Sequence, residues 1–310
     1  MEKISYFFID DVIWVMRDIA RERPASIFDN GFMKMLKRAH DDHGLTVQLN
    51  LFYRTDFFYG TDEFTLSDMP DCYKAEFEAA SDWLRLAFHA KQEFPDYPYV
   101  NATYEDVKHD YELIVGEIKR FAGEKAVSNV LCPHWLPISK AGCHALKECG
   151  VRIVTPSTGD RTPYTGDPTV LPYGHAARLL QNRQPETMLF NRGAANAAIS
   201  SSICGYNHLE KADIERIRFR NTSILDEETG LRFRGLSGGP CLNLYSLEAI
   251  KERLGALIGE GHEFIGAATH EQYYYADYYA YQPDYEEKLY TLAKMLNEAG
   301  YRWVTADELN

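Results

Sequence analysis

The sequence has no hydrophobic run that approaches the roughly 20 apolar residues of a membrane-spanning helix. Its N-terminus shows no signal-peptide pattern, because a strand-like run that contains acids begins almost at once. Internal repeats, heptads and low-complexity tails are missing as well, which argues against solenoids and coiled coils. We therefore predict a cytoplasmic globular protein with no membrane partner.

Positive charge is also scarce. The chain has 33 Lys and Arg against 46 Asp and Glu, a net charge of −13, and the basic residues do not cluster. Because phosphate backbones are bound by clustered Lys and Arg, we predict no nucleic-acid partner. The six cysteines show neither CxxC nor zinc-knuckle spacing, which is typical of reduced thiols in an intracellular protein.

What the sequence does contain is an alternation of short β-like runs and amphipathic helical stretches, the pattern of a parallel sheet or barrel. The predicted strands are Ser5 to Ile9, Thr46 to Phe52, Leu84 to Phe88, Ser128 to Cys132, Val151 to Val154, Phe264 to Ala268 and Tyr301 to Val304. The predicted helices between them include Asp29 to His40, Asp71 to Arg85, Tyr104 to Phe121, Lys140 to Cys149, Leu247 to Ile258 and Asp284 to Ala299. This alternation predicts an α/β fold, an irregular parallel (β/α) barrel of seven or eight strands.

One segment interrupts the alternation. From about 156 to 240 the chain is rich in Gly, Pro, Ser, Thr and Asn, and it contains a predicted hairpin around NTSILDEETGLRFRGL. Such a segment is too long for a plain loop in a compact domain. We predict that residues 1–310 form a single barrel domain with a loop-and-hairpin insertion at 156–240, which either caps the barrel or binds substrate.

Acids and imidazoles follow four of the predicted strands at their C-terminal ends. These residues are Asp10 and Asp11, His89, His134 with Trp135, and His270 with Glu271. In a parallel barrel all C-terminal strand ends open on one face, so these residues are expected to converge there. The alternative for the first pair is a surface turn in which Asp11 caps a helix that begins near Ile13.

Two imidazoles and a carboxylate are a suitable ligand set for zinc or a similar divalent ion with positions left open to water. Such an ion lowers the pKa of bound water and polarises a carbonyl oxygen, so an amide or ester can be hydrolysed. A second carboxylate can then act as general base, and an imidazolium can protonate the departing amine. Asp10 as base, Asp11 and His89 as metal ligands and His270 as acid meet these demands.

These residues resemble the motifs of the NodB-like polysaccharide deacetylases of carbohydrate esterase family 4. Phe8-Ile9-Asp10-Asp11-Val12 resembles that family's Thr-Phe-Asp-Asp-Gly motif, in which the first Asp is the catalytic base and the second binds metal. His89 matches the metal-binding His that opens the second motif. Ala267-Ala268-Thr269-His270 resembles the late strand that carries the catalytic acid. The resemblance implies a deacetylase barrel over most of the chain, outside the 156–240 insertion.

The middle motifs depart from the family pattern. Glu93 stands where the family has a second metal-binding His, and Cys132-Pro133-His134-Trp135 takes the place of the Arg-Pro-Pro-Tyr-like motif without its Arg. We predict His134 as the third metal ligand because it comes from a neighbouring strand end, with Glu93 and His109 as alternatives. The expected metal is zinc, with cobalt, nickel or manganese as alternatives.

Aromatic residues are dense after the last of these strands, where seven tyrosines lie within the 13 positions from 273 to 285. Directly after a catalytic strand they are suited to stack against a sugar ring, and packing against the barrel rim is the equal alternative. The predicted substrate-binding residues are Trp135, Glu271, Tyr273 and Tyr274.

Three functions follow from these patterns. The first is a metal-dependent hydrolase that removes an acyl group, most simply acetyl, from an amino sugar or related carbohydrate. The second is a metal-independent glycoside hydrolase that uses Asp10 or Asp11 with Glu271 as its carboxylate pair. The third is a carbohydrate-binding pseudoenzyme of the same fold, suggested by the missing second His and the missing Arg.

Overall fold

The computed structural model describes residues 2–55, 63–93, 98–99, 102–136, 138–155, 216–217, 219–278 and 280–310. Most of the predicted insertion, residues 156–215, lies outside these ranges. The strands are β1 Ile4–Val12, β2 Val47–Phe52, β3 Leu84–Ala90, β4 Val130–Leu131, β5 Ile153–Val154, β6 Ile224–Leu225, β7 Arg232–Phe233, β8 Phe264–His270 and β9 Arg302–Trp303. None of the helices in the described part of the chain is both long enough and apolar enough to cross a membrane.

Helices connect most of these strands. They are α1 Trp14–Glu22, α2 Gly31–His43, α3 Lys74–Ala79, α4 Tyr104–Phe121, α5 Lys140–Glu148, α6 Leu247–Gly259 and α7 Tyr285–Glu298. The longest, α4, begins with a capping box in which Thr103 and Asp106 satisfy each other's backbone N–H groups. Its apolar side is buried and its last turn carries Lys119 and Arg120, which suit the negative end of the helix dipole.

The central sheet is parallel and runs in the order β3-β2-β1-β8, with β9 also pairing β1. A second sheet runs β4-β5-β7-β6, and only its β6–β7 pair is antiparallel. Isolated bonds join flanking segments to the central sheet: the N–H of Ser128, two residues before β4, donates to Leu86 O over 2.8 Å, and the N–H of Ala268 on β8 donates to the O of Pro240, which follows β7, over 3.0 Å. The arrangement is barrel-like, although the strand pairings among the described residues do not form a closed barrel.

The side chains of β1 divide the core into two layers by their alternation. Phe7 and Ile9 pack with the helices in the larger hydrophobic cluster. Tyr6 and Phe8 point the other way, into a smaller cluster enclosed between the two sheets. Successive residues of a strand face opposite sides of the sheet. Because both sides of β1 are buried, most of its residues are apolar, which explains the continuous apolar run near the start of the sequence.

All seven strands predicted from the sequence are present, with boundaries shifted by a few residues. The hairpin predicted near the end of the insertion is confirmed: β6 pairs β7 antiparallel, and the turn closes where Gly230 N–H donates to Asp226 O. The prediction of one helix over Asp71 to Arg85 is wrong. The helix α3 ends at Ala79, and Leu84 already belongs to β3, because the apolar residues that follow alternate with period two.

Gly239 lets the segment before α6 approach β8 closely. A Cβ at this position would lie 1.6 Å from the backbone oxygen of Gly266. We expect Gly239→Ala to push these two backbones apart and to lower the free energy of unfolding by about 2–4 kcal/mol. Urea denaturation measures this, with Gly255→Ala as the control. Gly255 is exposed on α6 with nothing within 4 Å of an added Cβ, so that variant should be neutral or slightly stabilised.

Candidate active site

The end of β1 brings two adjacent carboxylates to one place. In a regular strand Asp10 and Asp11 would face opposite sides, but the register of β1 against β2 shifts between Ile9 and Val12. Asp11 adopts a left-handed backbone conformation with φ of 61°, which Asp tolerates better than most residues. Bulges of this kind re-aim side chains at functional sites. Both carboxylates therefore lie at the C-terminal edge of the sheet, where Asp10 is also the register partner of His270 on β8.

Three of the predicted metal-binding residues converge on one point. His89 Nε2 lies 3.0 Å from Asp11 Oδ1, and His134 Nδ1 lies 3.1 Å from the same oxygen. The two ring nitrogens are 3.1 Å apart. Asp11, His89 and His134 are 1%, 1% and 3% exposed. The structure thus gathers three potential ligand atoms from the ends of β1 and β3 and the loop after β4 into a nearly equilateral triangle.

The outer nitrogens of both rings show where their protons are. His89 Nδ1 lies 2.6 Å from the backbone oxygen of Cys132, and His134 Nε2 lies 3.0 Å from that of Glu93. A backbone carbonyl can only accept, so each of these nitrogens carries a hydrogen and donates it. In the neutral rings the lone pairs are then on His89 Nε2 and His134 Nδ1. Two nitrogen lone pairs and a carboxylate oxygen face one another without a proton between them.

This arrangement fits a divalent cation. Metal bonds to His nitrogen and carboxylate oxygen are about 2.0–2.2 Å long, so neighbouring ligand atoms lie about 3.0 Å apart at right angles and about 3.4 Å apart at the tetrahedral angle. The observed separations of 3.0 to 3.1 Å match that spacing. Metal-binding histidines also characteristically donate their other N–H to a carbonyl or carboxylate. Asp11, His89 and His134 therefore have the spacing, the donor atoms and the outer hydrogen bonds of a metal-ligand set.

The same contacts stabilise charge on these groups when the rings are protonated. Burial opposes ionisation of Asp11, but a protonated His134, through its charge and a hydrogen bond, holds the pKa of this carboxyl well below its usual range, with further contributions from His270 and His89. Burial likewise disfavours charge on His89, yet Asp10 and Asp11 raise its pKa. The Phe52 ring packs against both imidazoles at centroid distances of 5.3 and 4.9 Å, which keeps water away from one side of the site.

A second group of potential ligands fits a metal less well. Asp10, His89 and Cys132 also lie close enough to share an ion. However, the His89 nitrogen on that side already donates to Cys132 O. Burial, reinforced by Asp10, raises the pKa of the Cys132 thiol well above its usual range, whereas a thiol must lose its proton to bind metal. The protonated thiol instead points at Asp10 Oδ2, with 3.6 Å between sulfur and oxygen.

Asp10 is held by a neutral partner. Asn50 on β2 donates through Nδ2 to Asp10 Oδ1 over 2.7 Å, and His89 Nδ1 is 3.7 Å from the same oxygen. The carboxylate is 7% exposed. Apart from His89, no described residue forms an ion pair with it within 4.0 Å. Asp10 is therefore an oriented carboxylate beside the metal-ligand triangle, the position required of a general base.

His270 lies on the other side of Asp11. Its Nε2 is 4.0 Å from Asp11 Oδ2, and its Nδ1 donates to Asn243 Oδ1 over 3.0 Å. The side chain is 20% exposed, more than any residue of the triangle. The Asn243 backbone oxygen accepts from Gln282, which in turn accepts from the buried ammonium of Lys288. This series of buried polar groups anchors Asn243, which leaves the Nε2 edge of the His270 ring directed toward Asp11.

Of the alternative third ligands, Glu93 is close and His109 is not. The Glu93 carboxylate is buried, with Oε1 3.9 Å from His134 Nε2. Gln272 bridges it to the site, since Gln272 Nε2 lies 3.0 Å from Asp11 Oδ2 and 3.3 Å from Glu93 Oε2. His109 is solvent-exposed on α4. The geometry favours His134 as the ligand and gives Glu93 a supporting position through its backbone oxygen.

Glu271 has a structural task. Its Oε2 accepts from the N–H groups of Ile13 and Trp14 over 2.7 and 2.8 Å, and its Oε1 accepts from that of Val15 over 2.7 Å. It caps the start of α1 from just after β8, the strand next to β1, and is fully buried. Burial raises its pKa to about 7, although the three N–H groups act in the opposite direction. The cap that the sequence alternatively assigned to Asp11 is supplied by Glu271.

The other predicted substrate-binding residues follow site residues closely in the sequence, and their rings have protein neighbours. Tyr273 is buried with its ring 6.2 Å from that of His270. Tyr274 packs against Phe32 and is partly buried. Trp135 is partly buried, follows His134 directly and has a positive φ of 60°. Sugar stacking on these rings remains a prediction.

Sequence reasoning missed the polar residues that orient the site. Gln48 and Asn50 lie on β2, alternating with the apolar residues Val47, Leu49 and Leu51, and both are buried. Two amides on one face of a fully buried strand are a usable signal, because burying them without hydrogen bonds is costly. Asn243 offered no such signal, since it lies in the short 3-10 helix Leu242–Leu244, 27 residues before His270 in the sequence.

No protein-family model and no curated protein matches the sequence. Among solved structures, a 4-alpha-glucanotransferase from Thermococcus litoralis is similar with a TM-score of 0.55 and 11% identity over 99% of this chain, which spans 40% of that protein. A T48 deacetylase solved with substrate has a TM-score of 0.44 and 10% identity, with coverage of 99% of this chain and 89% of that one. A CE4 family pseudoenzyme from Bacillus anthracis has a TM-score of 0.45 and 9% identity, with coverage of 99% and 65%. At 11% identity, the likeness to the glucanotransferase shows a shared fold and does not extend to its chemistry.

Proposed function

We propose that this protein is a metal-dependent hydrolase that removes an acyl group, most simply N-acetyl, from an amino sugar or related carbohydrate on a (β/α) barrel. The observation that carries the proposal is the convergence of Asp11 Oδ1, His89 Nε2 and His134 Nδ1 within 3.1 Å of one another. The outer hydrogen bonds of both rings aim their lone pairs at the same point. The proposed substrate class rests on the resemblance of the sequence motifs around Asp10–Asp11 and His270 to those of polysaccharide deacetylases.

A divalent cation bound by Asp11, His89 and His134 would polarise the acyl oxygen and lower the pKa of water to near neutrality. Asp10, oriented by Asn50, accepts the proton that the attacking water loses. His270, oriented by Asn243, presents Nε2 to the site and donates a proton to the leaving nitrogen. Phe52 shields both imidazoles from water on one side. Base and acid reach the site from adjacent strands in register.

A metal-independent glycoside hydrolase is less compatible with the geometry. Its second carboxylate would be Glu271, whose two oxygens accept three backbone N–H groups in a fully buried position. Such a carboxylate cannot reach a glycosidic oxygen without uncapping α1. A pseudoenzyme that binds carbohydrate without turnover would need no base and no acid, whereas Asp10 and His270 each have a buried amide that orients them.

The test is a panel of N- and O-acetylated amino sugars and short oligosaccharides, with released acetate measured directly. The protein is assayed as purified, after removal of metal with a chelator, and after addition of zinc, cobalt, nickel or manganese. We expect acetate release that falls at least tenfold on chelation and returns with one of the metals. Acetate release that is unchanged without metal, or sugar binding without any release, would contradict the proposal.

A further inference from the structure

We propose that Asn50 is a positioning residue that fixes the general base Asp10, with Gln48 holding Asn50 in turn; this rests on the proposed function. Asn50 Nδ2 donates to Asp10 Oδ1 over 2.7 Å, and Gln48 Nε2 donates to Asn50 Oδ1 over 2.7 Å. Gln48 Nε2 also donates to the backbone oxygen of Val130 over 2.9 Å. One polar chain therefore runs from β4, through two side chains of β2, to the base on β1.

The donors and acceptors in this series of hydrogen bonds can be arranged in only one direction. A carboxylate and a backbone carbonyl can only accept, so both ends of the chain require amide donors. Asn50 is the link that accepts from Gln48 and donates to Asp10. Its orientation is fixed because turning its amide round would set its NH2 against that of Gln48 and its oxygen against the carboxylate. Asp10 Oδ1 is thereby held, while Oδ2 lies on the side of the Cys132 thiol.

The burial of Gln48 and Asn50 indicates that these hydrogen bonds serve a function other than stabilising the fold. Asn50 is fully buried and Gln48 is 2% exposed, on a strand whose other residues are apolar or aromatic and also buried. Amides in such positions gain little net stability over well-packed apolar side chains and cost free energy when a partner is lost. Gln48 Oε1 is buried and has no hydrogen-bond partner among the described residues. The buried, unpaired oxygen of Gln48 costs free energy, and the arrangement that contains it places one donor on Asp10.

A neutral donor suits a residue that must take up a proton. A guanidinium or ammonium against Asp10 would stabilise its charged form and weaken it as a base. An amide orients the carboxylate with a smaller electrostatic effect. In Asn50→Leu, which keeps the branched shape of the side chain but has no donor, we expect Asp10 to lose its fixed orientation. The three metal ligands should stay in place, because among the described residues no hydrogen bond joins Asn50 to any of them.

The experiment is a double-mutant cycle between Asn50→Leu and Asp10→Asn, measured by kcat and KM on an acetylated sugar that the wild type hydrolyses. We expect Asn50→Leu to lower kcat by about 10–100-fold with KM within about twofold. In the Asp10→Asn background the same change should have no further effect on kcat. Thr46→Val removes a buried hydrogen bond at the other end of β2, to Val304 O, and should leave kcat unchanged.

An equal loss of kcat from Asn50→Leu in both backgrounds, or no loss in either, would overturn the proposal. If the wild type hydrolyses no acetylated sugar, the proposed function fails, and crystal structures of the wild type and Asn50→Leu then decide the positioning question. An Asp10 carboxylate that leaves its place in the variant supports the role of Asn50. A carboxylate that stays where Asn50 held it contradicts that role.

Discussion

Replacing Asp10 with asparagine is expected to lower deacetylation by about 10²–10⁴-fold, the usual range for loss of a general base, while bound metal stays at the wild-type level. The substitution is isosteric, and the side-chain oxygen that remains can still accept from Asn50 Nδ2. The fold and the triangle of Asp11, His89 and His134 should therefore survive. The measurement is kcat together with metal content on the same protein preparation.

The matched control is Asp41→Asn, which removes an exposed carboxylate on α2 that is paired with Lys37. It should change neither kcat nor metal content. Loss of metal in Asp10→Asn would show that Asp10 is a ligand, as in the second group with His89 and Cys132. Full activity in Asp10→Asn would remove the general base from the mechanism.

Glu271→Ala is expected to be the most destabilising substitution near the site, at about 3–5 kcal/mol in the free energy of unfolding. The change leaves three backbone N–H groups at the start of α1 without their acceptor. It also removes the link between the residues after Asp11 and those after His270. Urea denaturation at pH 8, above the raised pKa of about 7, measures the loss with the carboxylate ionised.

Glu271→Gln separates hydrogen bonding from packing at this position. With its oxygen in place of Oε2 the amide still accepts from Ile13 and Trp14. Its NH2 replaces Oε1 and faces the Val15 N–H, so that bond is lost and two donors oppose each other. We expect about half the loss of the alanine variant or less. Equal losses in the two variants, or a loss below 1 kcal/mol in Glu271→Ala, would mean that the cap contributes little to stability.

The fold was predictable where local patterns and burial agree. The strand that ends at Asp10–Asp11, the strand that ends at His89 and the late strand that ends at His270 are apolar runs in which successive residues face two packed layers. Parallel strands place their C-terminal ends on one edge, and this rule was enough to bring Asp11, His89 and His134 together from positions far apart in the sequence.

The roles of Glu271 and the tyrosines were harder to predict from the sequence. Glu271 follows a candidate catalytic residue and looks like part of a substrate site, yet the tertiary fold places it under the start of α1. Tyr274 belongs to a tyrosine-rich run that suits sugar binding equally well, and one side of its ring packs against Phe32. In both cases the partner that the structure shows lies more than 200 residues away, so no local pattern reports it.

Metal content, measured by inductively coupled plasma mass spectrometry on purified, untagged protein after stripping and reconstitution, shows whether Asp11, His89 and His134 bind an ion. We expect one divalent ion per chain in the wild type, loss of that ion in Asp11→Ala and in His134→Ala, and its retention in Glu93→Ala. A wild type that binds no ion after reconstitution, or a His134→Ala variant that keeps its ion, would show that these residues are not a metal-ligand set.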